Sequence, residues 1–139
     1  MKVKILVLCT GNSCRSQMAE GIISSLDSDF EVFSAGTRPE KNVNPFAIEV
    51  MKEIGLDISG NIPKNVDEFT GSDFDYVITV CDNAREICPV FTGNVKYRIH
   101  RGFEDPFNAM GTDEEKREVY RKVRNRISEV FKELFSKHA

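Results

Sequence analysis

The sequence predicts an α/β fold: a single domain over residues 1–139, built on a central four-stranded parallel sheet flanked by helices. Three observations predict it. Short apolar runs alternate with amphipathic helical stretches, and the first run passes through a polar loop straight into a helix. The chain has no internal repeat, low-complexity segment or long linker. Its 139 residues suit one domain, which buries roughly two-thirds of its unfolded surface without staples.

Lys2–Leu8 contains two early lysines and continues as an apolar run, the pattern of a buried strand. Beyond the Cys9–Arg15 loop, Met18, Ile22 and Leu26 recur at a spacing of four and mark a helical face. Glu31–Ser34 reads as a second strand, ended by Ala35-Gly36. Asn44-Pro45 is an N-cap with proline at the first helical position. Ala47, Val50, Met51 and Ile54 form that helix's apolar face, and Gly55 stops it. Tyr76–Val80 is the clearest strand, bounded by Asp75 and Cys81. Val95–Ile99 alternates apolar and basic residues, as an edge strand with one wet face does. A long helix runs from Thr112 to about Phe135, with Val119, Val123, Ile127, Val130 and Leu134 as its buried stripe. Arg117, Arg121, Lys122, Arg124 and Arg126 read as its solvated face. Parallel strands joined by right-handed crossovers bind ligands beyond their carboxyl ends. That rule sets Cys9, Cys81 and the segment after Ile99 on one rim.

The charge balance, 19 basic against 22 acidic residues for a net −3, argues against a nucleic-acid partner. It leaves room for a small anionic substrate, because local fields outweigh net charge. No apolar run approaches the roughly 20 residues of a membrane helix. Ile5–Leu8 is too short for a signal-peptide core, and Cys9-Thr10-Gly11-Asn12 is no cleavage site. The expected location is therefore the cytoplasm, where thiols are held reduced. The four cysteines are then expected to be catalytic, redox-active or metal-binding rather than structural.

Cys9–Ser16 reads Cys-Thr-Gly-Asn-Ser-Cys-Arg-Ser. A cysteine leaves the strand, five small or polar residues follow, and an arginine enters the helix. Thr10, Gly11, Asn12, Ser13 and Cys14 can turn backbone N–H groups inward as a nest, reinforced by the helix N-terminus. Arg15 offers a planar fork for two oxygens of a tetrahedral oxyanion. Cys9 lies beneath the anion, where the same positive field favours its thiolate, and Ser16 can donate a hydroxyl to it. The plainer reading, a buried cysteine and a surface arginine, is disfavoured by the loop's placement between strand and helix.

This stretch, continued through Gln17-Met18-Ala19-Glu20-Gly21, resembles the thioredoxin-coupled arsenate reductases. These share their fold with the low-molecular-weight protein tyrosine phosphatases. The resemblance implies a phosphatase-type anion-binding loop after the first strand of a four-stranded parallel sheet. Both families place an aspartate before proline on a late loop, as the acid that protonates the leaving oxygen. The match is Asp105-Pro106, following Gly102-Phe103-Glu104. Alone, Asp-Pro is a common turn; with the Cys9 loop and the last strand before it, the acid role is favoured. Glu104 is the neighbouring competitor, expected to point away.

Cys81 directly follows the third strand, and Cys88 comes seven residues later. Zinc binding with Cys9 and Cys14 does not suit the spacings, and a pair of inert buried thiols is the other plain reading. If Asp82–Ile87 is helical, residues seven apart lie about 10.5 Å apart along the axis, whereas a disulfide needs Cα atoms within roughly 7 Å. Bridging Cys81 and Cys88 would then unwind that helix. The resemblance implies the same cascade: Cys9 attacks arsenate held by Arg15 and the loop, Cys81 attacks the Cys9 sulfur, and Cys88 takes over the disulfide. Thioredoxin reduces the final bridge, the outcome being arsenic detoxification. Phosphate and sulfate are the expected analogues of arsenate, and no cofactor and a monomer are expected. Cys14 has no clear role, being either structural or a second partner for Cys9 under oxidants.

The chain departs from its relatives in places. His100-Arg101-Gly102 lacks the tryptophan that many relatives carry between histidine and glycine, and the chain has no tryptophan. Some relatives bind potassium with residues matching Asn12, Glu20 and Ser34. Ile62 and Lys64 stand where their threonine and acidic ligands lie, so an ammonium replaces the ion and no metal is expected. The main alternative is a tyrosine phosphatase using Cys9, Arg15 and Asp105 alone. Gln17, where those enzymes carry proline, and Phe107-Asn108, where they carry tyrosines, favour the reductase, with weak phosphatase activity remaining. A phosphocysteine carrier accounts for neither Asp105 nor the second cysteine pair. His100 and His138 carry no signal.

Overall fold

The computed structural model describes residues 2–82 and 91–136. Among them are the strands β1 Val3–Cys9, β2 Phe30–Gly36, β3 Phe74–Thr79 and β4 Val95–His100, and the helices α1 Arg15–Ser24, α2 Pro45–Lys52 and α3 Asp113–Ser136. Single 3₁₀ turns at Val66–Phe69 and Pro106–Asn108 are additions that the sequence pattern did not predict. The sheet is parallel, in the order β2-β1-β3-β4. β1 is central, and this accounts for its unbroken apolar run: Ile5, Leu6, Val7 and Leu8 are fully buried. Ile5, Val7 and Cys9 face the larger core with α1, α2 and α3. Leu6 and Leu8 face a smaller one, with Ala35, Phe74, Val77 and Phe91. β4 is an edge strand and mostly exposed, as its alternation predicts.

α2 starts as its sequence predicts but ends at Lys52, so that Ala47, Val50 and Met51 are buried while Ile54, expected on the same face, lies past the helix and is exposed. Asn44 Oδ1 accepts the Phe46 N–H at 2.9 Å, with Pro45 in the first turn. At the other end the Leu56 N–H bonds the Met51 carbonyl and the Gly55 N–H that of Lys52. Gly55 has a φ of 80°, a left-handed conformation that closes the last turn. α3 is capped by a reciprocal pair: the Glu115 N–H donates to Thr112 Oγ1 at 3.1 Å and the Thr112 N–H to Glu115 Oε1 at 3.0 Å.

The buried stripe of α3 differs from the expected one. Val123 and Ile127 are buried as predicted, but Tyr120, Phe131 and Phe135 replace Val119, Val130 and Leu134, which are only half-buried. A strict spacing of four drifts around a helix of 3.6 residues per turn, and the larger rings claim the core-facing side. Arg124 is also no surface residue. It is 8% exposed, its Nη1 donating to the Val50 carbonyl at 2.7 Å and to Glu53 at 2.8 Å.

Candidate active site

Cys9 ends β1 and Arg15 begins α1, so the residues between them have to turn the chain through one tight arc. The arc is held from outside. The carbonyls of Thr10, Gly11 and Ser13 accept the N–H groups of Arg38, Glu40 and Asn44 at 3.0, 2.8 and 3.0 Å. In a trans peptide the N–H opposes the carbonyl, so the amides of Gly11, Asn12 and Cys14 turn inward. β2 passes so close that a Cβ on Gly36 would lie 2.3 Å from the Thr10 carbonyl oxygen. Only glycine fits there.

Asn12 adopts a φ of 51°, which asparagine tolerates better than most residues. Its side chain is fully buried and faces away from the loop's concave side. Nδ2 donates to Ser16 Oγ at 2.8 Å and Ser34 Oγ at 2.9 Å, and Oδ1 accepts the Lys64 N–H at 2.9 Å and Gln17 Nε2 at 3.2 Å. Glu20 extends this network, accepting Ser34 Oγ at 2.9 Å and Asn61 Nδ2 at 3.0 Å. Burial raises the Glu20 pKa, while the Ser34 bond and the Lys64 ammonium oppose the rise. These donors and acceptors are engaged with one another, and an ammonium already acts on Glu20. The set does not fit a bound monovalent cation.

A cavity of about 410 Å³ opens over the loop, lined by Cys9 to Arg15 together with Arg38, Glu40, Asp105 and Phe107. Arg15 is 3% exposed; its Nη1 donates to the Phe103 carbonyl at 3.2 Å and its Nη2 lies 3.4 Å from Asp105 Oδ2. It therefore ties the anion loop to the loop after β4. Asp105 Oδ1 accepts the Phe107 N–H at 3.0 Å, which aims the carboxylate inward. Glu104 is exposed and does not line the cavity. Ser16, also fully buried, supports the loop from behind.

Cys9 and Cys14 are reduced and buried. Burial pushes the Cys14 thiol up to about 12; Asp105 adds to the rise, against hydrogen bonds from Tyr120 and Ser13 and the charge of Arg15. Cys81 is fully buried and disulfide-bonded. The Val80 N–H bonds the Leu8 carbonyl at 3.0 Å and the Phe103 N–H the Val80 carbonyl at 3.2 Å, so Cys81 leaves the ladder beside the end of β1. Cys88 and the expected helix between the two cysteines lie outside the described residues. Among the described residues no group of three or more His, Cys, Asp or Glu could hold a metal ion, and no helix is long and apolar enough to cross a membrane.

Arg38 and Glu40 were not predicted at the site. The signal was present: β2 ends at Gly36 beside β1, and whatever follows a strand's carboxyl end reaches the rim. Phe107 was legible only as the residue after Asp-Pro.

Residues 4–139 match the low molecular weight phosphotyrosine protein phosphatase family. The chain belongs to that family. Over 132 residues, 94% of either chain, it is 47% identical to an arsenate reductase of Halalkalibacterium halodurans. It is 44% identical over 131 residues to an arsenate reductase of Bacillus subtilis, covering 94% of this chain and 93% of that one. A solved arsenate reductase in the phosphate binding state superposes with a TM-score of 0.81 at 34% identity, covering 100% of both chains. A low molecular weight protein tyrosine phosphatase from T. tengcongensis gives 0.78 at 26% identity, covering 98% of this chain and 99% of that one. The resemblance drawn from the Cys9 loop and the four-stranded parallel sheet are both borne out.

Proposed function

We propose that this family member reduces arsenate to arsenite with electrons drawn from its own thiols. The observation that carries the reading is the placement of a second sulfur, Cys81, at the tip of the strand beside the anion loop. Phosphate-ester hydrolysis has no use for it. The 47% identity to an arsenate reductase supports the same choice.

Arsenate enters the cavity, where inward amides and the Arg15 guanidinium neutralise its charge. The Cys9 thiolate attacks arsenic, and an oxygen departs as water with a proton supplied by Asp105. Cys81 then attacks the Cys9 sulfur. The S–As bond breaks, its electron pair stays on arsenic, and arsenite leaves as a Cys9–Cys81 disulfide forms. Cys88 attacks Cys81 in turn, expelling the Cys9 thiolate and leaving an oxidised 81–88 pair. A thioredoxin-class dithiol returns the pair to thiols. The setting is the cytoplasm, the acting species a monomer, and no cofactor or nucleic acid takes part.

Phosphatase action on the same loop is the second reading, favoured by the family match, since phosphate and arsenate are isosteric. The test is a thiol titration of fully reduced protein before and after arsenate, with phosphate as control. Loss of two thiols with arsenate alone, together with released arsenite, is expected. Intact thiols with turnover of an aryl phosphate would establish the phosphatase instead.

A further inference from the structure

An anion cavity gains nothing in attraction from acidic side chains, yet two line this one. Asp105 is used by the proposed chemistry, and its oxygens are committed to the Phe107 N–H and to Arg15. The other is Glu40, for which the cascade has no task. The segment after β2 holds it in place by two main-chain bonds. The Arg38 N–H donates to the Thr10 carbonyl at 3.0 Å and the Glu40 N–H to the Gly11 carbonyl at 2.8 Å. The Glu40 side chain then runs over the loop itself: a Cβ added to Gly11 would lie 3.2 Å from its Cγ and 3.9 Å from its Oε1. Among the charged side chains that line the cavity, Arg15 and Arg38 are thus balanced by Asp105 and Glu40. Net attraction for an anion falls to the inward amides and the start of α1.

We propose that Glu40 is a specificity-determining residue: it admits oxyanions that carry a proton, arsenate and phosphate, and turns away sulfate, which carries none. Size and shape do not separate these three tetrahedral anions, but hydrogen-bond chemistry does. An ionised carboxylate is an acceptor only. Facing sulfate it meets lone pairs with lone pairs, and the like charges repel with nothing to offset them. Facing the hydroxyl of arsenate or phosphate, it accepts a short charge-assisted bond that compensates the repulsion. At neutral pH both of those anions keep at least one proton. The same bond turns the protonated oxygen toward Glu40 and leaves the bare oxygens for the loop amides and Arg15. Of the two expected analogues of arsenate, the cavity therefore favours phosphate.

The inference rests on the oxyanion site proposed above and not on the thiol chemistry, and the test keeps them apart by reading binding alone. Isothermal titration calorimetry compares phosphate with sulfate on the intact reduced protein at low ionic strength, where surface charge is least screened. The parent should bind phosphate at least about tenfold more tightly than sulfate. Glu40→Gln keeps the length of the side chain, removes its charge and supplies an N–H donor. Sulfate should then bind about tenfold more tightly, while phosphate changes by less than about threefold. Glu104→Gln removes a charge at an exposed residue outside the cavity, and should leave the ratio of the two affinities as it is. Equal tightening of both anions by Glu40→Gln would reduce Glu40 to a general field and overturn its role in selection. An unchanged ratio, or the same shift from Glu104→Gln, would overturn it as well. A parent that binds neither anion would defeat the oxyanion site itself, whereas loss of arsenite release with phosphate still bound would defeat only the cascade.

Discussion

Arg15 ties the loop after β1 to the loop after β4, its guanidinium rigid and nearly inaccessible to water. One edge is spent on the Phe103 carbonyl and Asp105, which brings the carboxyl to the cavity without a conformational change. Asp105→Asn keeps the shape and removes the proton. Arsenate turnover should fall by about 10²–10³, while phosphate binds at least as tightly because a negative charge is gone. Steady-state rates and phosphate inhibition constants check both. At this scale the sequence brought together Cys9, Arg15 and Asp105, and all three line one cavity. Asn12 was read as turning its backbone N–H toward the anion, and its main chain does line the cavity. Its buried side chain braces Ser16, Ser34 and the Lys64 N–H from behind, partners that spacing alone does not reveal at 22 and 52 residues away.

α2 and α3 are joined by ions as much as by packing. Glu53 accepts Arg121 Nη2 at 2.9 Å and Arg124 Nη1 at 2.8 Å, and Arg117 Nε reaches Glu49 at 2.6 Å. These arginines looked like a solvated face because periodicity sees hydrophobicity and not the opposing helix. The Arg121 and Arg124 guanidiniums hold the Glu53 carboxyl down at about 2. A lowered folded-state pKa gives stability that is present above the ordinary value of 4.5 and is lost as pH falls toward about 2. Melting temperature against pH should therefore show Glu53→Gln below the parent at neutral pH, with the gap closing over that acid window. Added salt should shrink the gap as well, since Glu53 is 40% exposed. Helix ends, by contrast, were plain in the sequence. Asn44-Pro45, Gly55 and Thr112 act within one turn of themselves, so their meaning survives without a tertiary partner.

The sheet divides the molecule unequally. All three described α-helices contribute to the core cluster on one face, while the other is closed by a small group of aromatic and aliphatic side chains. Phe74 is the centre of that group, its ring 5.6 to 6.1 Å from those of Phe33, Phe69 and Phe91. Phe74→Ala should cost about 3–5 kcal/mol in urea unfolding while sparing phosphate affinity, because no ring of the cluster lines the cavity. Sequence patterning found each of the four described strands, yet it could not say which face is thin, since β1 is apolar on both. The order of those strands has a consequence for substitution. β3 lies against β1, so the thiol just past the end of β3 stands beside the loop that leaves β1. A change confined to that strand tip adds or removes a sulfur there without touching any residue that lines the cavity.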